Sequence, residues 1–370
     1  MEVLFWICLA SLLWAYAGYP ATMLTRAAMV PRRAERRPAG LPTVTAVLAV
    51  RNPGDHLLDR VQNLLDQDYP RHLLNVVVVC NGSSKETVEL ANALASSNAR
   101  VDCLVSPAGE GKAGALNMGA AHSTADVLVF ADVRQRFDPK AVRWLVRAFR
   151  DSGTGAVTGR LVIGRASSTV VAGVGRYWEL ETRLRMAESR TGSVVGVTGA
   201  IYAARCALFP RIPAETILDD VYVPLHIVRQ GYRIAMAPRA IAYDTASVDG
   251  RAEYRRRVRT LLGNLELVRL MPWLIVPGVN PIFGRYVSHK LLRVLTPALC
   301  IGLLVSGTVL PGIGYQGLAA SLAAAYVLGA VGLITPVRLL ALPSAFLLLH
   351  TAGFSALLRP WRRASDVWAG

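Results

Sequence analysis

The chain has 370 residues, 53% of them hydrophobic and 18% charged, with a formal net charge of +16 at pH 7. With a mean hydropathy of +0.36, it is more apolar and less charged than an average soluble domain, which is about 25% charged. This argues against an ordinary soluble domain and points to lipid. Most of the positive charge is arginine, and much of it sits beside apolar segments, which points to anionic lipid and a phosphate ligand and away from nucleic acid.

Val3 to Tyr19 carries no charge and, with its flanks, is long enough to cross about 30 Å of hydrocarbon. Arg26, Arg32, Arg33, Arg36 and Arg37 follow it, and Pro31, Pro38 and Pro42 mark a basic linker over residues 24–42. The positive-inside rule places that side in the cytoplasm and the N-terminus outside. A cleaved signal peptide carries its basic residues before the apolar run. Here they come after it, so residues 1–23 read as an uncleaved anchor. Cys8, Cys80, Cys103, Cys206 and Cys300 show no metal or disulfide spacing, and read as packing residues in a reducing compartment.

Thr43 to Val50 is a short apolar, β-branched run that ends in the breaker Arg51-Asn52-Pro53-Gly54. Leu57, Leu58, Val61, Leu64 and Leu65 then recur at helical spacing. Asn75 to Cys80 predicts a second strand, and Asn81-Gly82-Ser83-Ser84 a turn able to cap a helix beginning near Lys85. Val101 to Val105 predicts a third strand, Gly114 to Ala121 a helix and Val127 to Ala131 a fourth strand. Such alternation implies an α/β domain with a parallel sheet, where ligands bind beyond the carboxyl ends of the strands.

Tyr177 to Arg190 reads as an amphipathic helix, Gly192 to Arg205 as a glycine-rich loop, and Asp219 to Gln230 and Ala252 to Leu270 as helices. Pro272, Pro277 and Pro281 break the chain, and Phe283 to Leu291 suits the membrane surface, within an interfacial region of residues 271–291. Residues 292–358 hold two or three further spans. Three crossings leave the basic tail of Arg359, Arg362 and Arg363 outside, against the positive-inside rule. Two crossings with a re-entrant Leu339 to Leu358 keep it inside, and Pro343 and His350 favour that arrangement.

Several stretches carry chemistry by residue type. In Gly111-Lys112-Ala113-Gly114-Ala115-Leu116-Asn117, small residues let a backbone approach a phosphate and Lys112 supplies a point charge; alone, the stretch also suits a surface lysine before a helix. Asn81 offers a donor and an acceptor to a base edge. Asp132 ends the fourth strand, and Arg134 two residues on can bind a diphosphate through paired hydrogen bonds or pair with an acid such as Asp138. Asp219 and Asp220 open a helix, where acids also complement the helix dipole. Thr198-Gly199-Ala200 leaves room for a ring. Arg256-Arg257-Val258-Arg259-Thr260 suits a basic helix face near anionic lipid.

In their order and spacing these stretches resemble the processive and lipid-facing family 2 glycosyltransferases, the group of hyaluronan, cellulose and poly-N-acetylglucosamine synthases, across nearly the whole chain. The resemblance implies a cytoplasmic, Rossmann-like, GT-A type nucleotide-sugar-binding domain over residues 43–270, flanked by transmembrane helices. It implies donor contacts from Asn52, Asn81, Lys112, Asn117, Asp132, Arg134 and Arg259, and acceptor contacts from Thr198, Gly199, Ala200 and Asp219. Asp220 falls at the position of the catalytic base of an inverting transfer. Two departures stand out. Arg134 replaces the second acid of an Asp-x-Asp that holds Mg2+ or Mn2+, leaving Asp132 as the single metal carboxylate. Arg256 and Thr260 replace the glutamine and tryptophan of Gln-x-x-Arg-Trp, and a threonine offers no flat face to a sugar.

The expected activity is transfer from a nucleotide diphosphate sugar, a UDP-sugar foremost, to a lipid or glycan acceptor at the bilayer in cell-envelope or exopolysaccharide synthesis. The expected place is the plasma membrane, with several spans and the catalytic domain in the cytoplasm. A processive synthase with export, and an inactive nucleotide-sugar-binding scaffold, are the alternatives. Nothing in the sequence fixes an oligomeric state.

Overall fold

The computed structural model describes residues 1–31, 40–107, 109–164, 169–214, 216–245, 250–335 and 337–358. Arg32, Arg33, Arg36, Arg37, Arg359, Arg362 and Arg363 lie outside them. The chain divides into two compact units, one of residues 1–29, 165–187 and 246–370, the other of residues 30–164 and 188–245.

The second unit is built on an eight-stranded sheet of order β3-β2-β1-β4-β7-β6-β8-β5. Its first half is parallel: β1 (Val44–Val50), β2 (Leu74–Asn81), β3 (Val101–Ser106) and β4 (Val127–Ala131). These strands read as continuous apolar runs because helices cover both sheet faces, and all five residues of β4 are buried. Each large aliphatic side chain buried in this way contributes about 1.5–3 kcal/mol. The helices His56–Leu65, Lys85–Ser97 and Gly111–His122 supply the crossovers. Ser84 caps the second of these as expected, its side chain accepting from the Thr87 amide.

The other half corrects the expectation of a wholly parallel sheet. β7 (Ile201–Arg205) runs antiparallel to β4 and to β6 (Thr154–Ile163). β6 pairs parallel with β8 (Arg233–Asp244), and β5 (Arg136–Phe137) is an antiparallel edge. The stretch read as a loop to Arg205 therefore ends in a central strand. β6 itself reads poorly as a strand because it contains glycine, which normally weakens one. Here close approach demands it: a Cβ on Gly155 would lie 2.4 Å from Ile227 Cγ2, and one on Gly159 would lie 2.7 Å from the Ala240 carbonyl.

In the first unit, the helical stretches Glu2–Met29, Phe283–Val309, Ile313–Ile334 and Ala341–Leu358 are long and apolar enough to cross a membrane. Phe283 to Leu291, expected along the membrane surface, continues as helix into the second of these. Pro343 falls in the first turn of Ala341–Leu358, where no helical bond is lost. His350 Nδ1 lies 2.7 Å from the Tyr326 hydroxyl. Small residues set the helix contacts, as is usual in lipid: a Cβ on Gly307 would lie 2.9 Å from Ala319 Cβ, and one on Gly329 would lie 2.6 Å from the Pro343 carbonyl.

The Gly111–His122 helix lies close on the sheet at Gly119, where a Cβ would stand 2.6 Å from Val47 Cγ1 and 3.2 Å from Val79 Cγ2. Gly119→Ala is expected to destabilise the protein by about 1–3 kcal/mol, read as a lower thermal midpoint. Gly314→Ala, whose Cβ meets nothing within 4 Å, serves as control, and equal midpoints for the two variants would contradict this packing.

Candidate active site

The strand order creates the site. The carboxyl ends of β1, β2 and β4 lie at one edge of the sheet, because Val50 pairs with Cys80 and Val47 with Phe130. The antiparallel β7 brings its amino end to that same edge, since Ala131 pairs with Ile201. Asp132 therefore follows β4 beside the turn Thr198-Gly199-Ala200, which precedes β7 and is closed by an antiparallel bridge between Thr198 and Ile201.

At this edge Lys112, on the first turn of its helix, lies between two acids. Its Nζ is 3.2 Å from Asp132 Oδ1 and 3.6 Å from Asp219 Oδ2. Burial lowers the pKa of the ammonium, but Asp132, Asp219 and Asp220 raise it more, so Lys112 is held above its ordinary value. Asp219 is buried. Burial pushes its carboxyl up, Lys112 pulls it back, and Asp220 and Asp132 push it up again, to about 6. The two adjacent aspartates are thus unlike. Asp219 is committed to Lys112, whereas Asp220 is only half-buried, and its Oδ2 accepts the Gly199 amide at 3.0 Å. Gly199 permits that contact, as a Cβ there would lie 2.9 Å from the same oxygen.

Of the other expected donor residues, Asn52, Asn81, Asn117 and Arg134 belong to the same unit as this cluster. Asn52, the one described non-glycine residue with positive φ, at 47°, accepts the Ser84 amide at 2.7 Å on its Oδ1. It joins the turn after β1 to the turn that follows Asn81, the last residue of β2. Asn117 spends both ends of its amide on Ile212, donating to the carbonyl at 2.7 Å and accepting from the amide at 2.8 Å. Its visible work is to pin the chain leading to Asp219. Arg134 is exposed and pairs with Asp244, 3.2 Å away, instead of with Asp138. Gln135 Nε2 donates to the same Asp244 oxygen at 2.9 Å, while Asp244 Oδ1 is buried with no hydrogen-bond partner. Arg259 and Thr260 lie on the Gly250–Leu270 helix of the first unit.

Sequence reasoning missed two residues. Arg60 is buried, donates its Nε to the Asp132 carbonyl at 3.0 Å, and lies 4.1 Å over the Phe137 ring. It fixes the strand end that carries Asp132, and its only signal was a charge on the apolar face of the His56–Leu65 helix. Tyr202 is buried in β7, stacks 4.5 Å from Phe130, and leaves its hydroxyl without a hydrogen-bond partner. Burial, then the charges of Asp219, Asp220 and Asp132, holds that phenol well above its ordinary value.

Among the described residues no group of three or more His, Cys, Asp or Glu side chains is placed to hold a metal ion. Asp132, 40% exposed at its side chain, is the residue that would hold a divalent ion, with donor phosphates and water completing the ligand set, a pattern common for Mg2+.

A family model described as "Glycosyltransferase like family 2" matches residues 42–263. The chain is 24% identical over 240 residues to the probable glycosyltransferase YdaM of Bacillus subtilis (strain 168), a match covering 62% of this chain and 56% of that relative. It therefore spans little more than half of that relative's length. It is also 25% identical over 285 residues to the glycosyltransferase AglE of Haloferax volcanii, covering 72% of this chain and 91% of that one. Among solved structures, the mannosyltransferase PcManGT from Pyrobaculum calidifontis, in complex with GDP-Man and Mn2+, superposes with a TM-score of 0.70 at 21% identity. That superposition covers 97% of this chain and 99% of the other, a likeness of fold.

The Lys112 cluster makes a definite demand on stability. Asp219 has a folded pKa of about 6, above the ordinary value of about 3.9, so its ionisation penalty is full above pH 6 and is relieved as pH falls through that window. Lys112→Met enlarges the penalty. Its melting temperature is expected below wild type at pH 8, with the gap closing toward pH 5 as Asp219 takes up a proton; a gap independent of pH would contradict the pairing.

Proposed function

Since the chain belongs to the glycosyltransferase-like family 2, we propose that its second unit transfers a sugar from a nucleoside diphosphate donor to a hydroxyl or phosphate acceptor, with inversion at the anomeric carbon. The observation that carries this reading is the division of labour between the adjacent aspartates. Asp219 neutralises Lys112 from a buried position, and Asp220 keeps an oxygen for proton transfer.

In this reading the acceptor oxygen attacks the anomeric carbon as the bond from that carbon to the diphosphate oxygen breaks. The electron pair leaves on the diphosphate. The acceptor proton passes to Asp220 Oδ1, the oxygen not engaged by the Gly199 amide. The Gly199 contact fixes the carboxylate in angle, so the base is oriented before the acceptor arrives. Thr198 and Ala200 line the approach beside it. Lys112 and Arg134 meet the charge developing on the leaving group, and both can exchange a carboxylate partner for phosphate. Asn52 and Asn81 shape the floor for the nucleoside. A divalent ion on Asp132 supplies further charge neutralisation when bound. Arg259 is assigned to the diphosphate by its motif alone.

The catalytic unit is placed on the cytoplasmic face of the plasma membrane, supported by the arginines that follow the first apolar segment. The loss of a stacking tryptophan at Thr260 favours transfer to a membrane-bound acceptor over long-chain extension. The related fold solved with GDP-Man makes GDP-mannose a donor to screen beside UDP-sugars.

Asp220→Asn is expected to lower transfer by about 10²–10⁴-fold while nucleoside diphosphate binding stays within a few-fold of wild type. Both are measured on the purified full-length chain, with radiolabelled donors and by calorimetry. Transfer by Asp220→Asn at the wild-type rate would remove the base assignment. A family of lengthening products would replace single transfer with polymerisation.

A further inference from the structure

One acid on the catalytic edge has no part in the transfer reading. β6 runs parallel to β4, because both pair antiparallel with β7, and β8 runs parallel to β6. The carboxyl end of β8 therefore points to the same edge as that of β4, and Asp244 is its last residue. Its backbone is fixed, since it pairs in register with Ile163 and its carbonyl accepts the Gly164 amide at 2.9 Å. The chain beyond Asp132 returns along this strand. Arg136 pairs with Tyr243 in the antiparallel β5–β8 ladder, and the Asp138 amide donates to the Ile241 carbonyl at 2.9 Å. That register sets Gln135 opposite Asp244 and brings Arg134 within reach of it.

The two partners of Asp244 differ in kind. Its side chain is 3% exposed, and its Oδ2 accepts from Gln135 Nε2 at 2.9 Å and from Arg134 at 3.2 Å. Gln135 is buried, so its amide fixes the carboxylate. Arg134 is 63% exposed and gives Asp244 one amino group. A guanidinium carries five N–H donors on a planar fork, so one end of Arg134 is held while the rest stays open to a ligand. Asp244 Oδ1 and Gln135 Oε1 are buried with no hydrogen-bond partner among the described residues. That excess of acceptors disfavours departure of the cation beside them. Asp132, two residues before Arg134, is paired instead with Lys112.

We propose that Asp244 is a positioning residue of the donor site, which holds the Arg134 guanidinium so that its remaining N–H groups meet the donor diphosphate while the bond to Asp244 persists. The inference deepens the transfer reading and rests on it. Arg134 then acts as a fixed cation at the position where an Asp-x-Asp carries its second acid. Holding a long side chain in place before the ligand arrives lowers the entropy lost on binding. Part of the diphosphate charge is thereby met through charge-assisted hydrogen bonds with no divalent ion bound. Separate acids hold the two cations, Asp132 for Lys112 and Asp244 for Arg134, so neither ion pair has to break for the other cation to bind phosphate.

The test is calorimetry of the full-length protein in a neutral detergent, titrated with UDP and with GDP, once in excess EDTA and once with Mn2+. Wild type is expected to bind one of the two nucleotides in EDTA. There, Arg134→Gln and Asp244→Asn are each expected to weaken that binding about tenfold, the scale of one charge-assisted hydrogen bond. In the Arg134→Gln background, Asp244→Asn is expected to add less than about twofold, because its effect runs through Arg134. Lys85→Gln, in an exposed pair with Glu89, is expected to change nothing. Melting temperatures confirm folding, and if Asp244→Asn does not fold, Gln135→Met, which removes the buried amide that fixes the carboxylate, takes its place in the cycle. Additive losses would mark a merely structural acid, and tighter binding would mark one that competes with phosphate. Either result, unchanged binding, or wild-type binding in Mn2+ alone would overturn the assignment and leave the donor reading standing. Failure of wild type to bind either nucleotide under both conditions would overturn the two together.

Discussion

A single ammonium group holds the catalytic edge together. Lys112 stands among acids contributed by the end of β4 and by the start of the Asp219–Arg229 helix, elements distant from one another in the chain. Without that cation, the buried carboxylate at Asp219 would lose its ion-pair partner, a situation proteins resolve by protonation or unfolding. In the proposed reading, structural cohesion and donor affinity are two uses of one charge, and each limits how far the other can be altered.

Legibility from sequence followed burial. β1, β2, β3 and β4 were readable within a residue or two because parallel strands covered on both faces appear as unbroken apolar runs between breakers. β6 and β8 were not, since β6 needs glycines where Ile227, Ala240 and Ile201 approach, and β8 contains Pro238 and shifts register against β6. The strand β7 was hidden inside a stretch whose glycines suggested a loop, and only its pairing with β4 shows why the preceding turn matters. Lys112, Asp219 and Asp220 were legible because charge in a fixed motif is conspicuous. Arg60 and Tyr202 were not, because their roles depend on neighbours distant in sequence, Asp132 for one and the stacked Phe130 for the other.

The departures from the family pattern acquire physical settings. Arg134 is balanced by Asp244, itself held by Gln135, so a cation at the third position of the motif is tolerated through an acid far along the chain. Thr260 faces a cavity in place of presenting a ring, its hydroxyl donating to the Arg256 carbonyl at 2.9 Å. Each change removes a feature and leaves a compensated environment, which is what a retained function on altered partners requires.

The discontinuity of the second unit bears on how the protein is made. Its sheet is interrupted after β6, the chain departs through residues 165–187, and β7 then inserts between β4 and β6. On the ribosome, the earlier half of the sheet must wait with β4 exposed along one side until that excursion has been synthesised and β7 has emerged. The far side of the sheet is completed only when β8 ends at Asp244, before the three last apolar helices are translated. An unpaired central strand during synthesis is a site for misassociation. The period of greatest vulnerability for this chain thus falls between the making of its first long apolar helix and the making of its second.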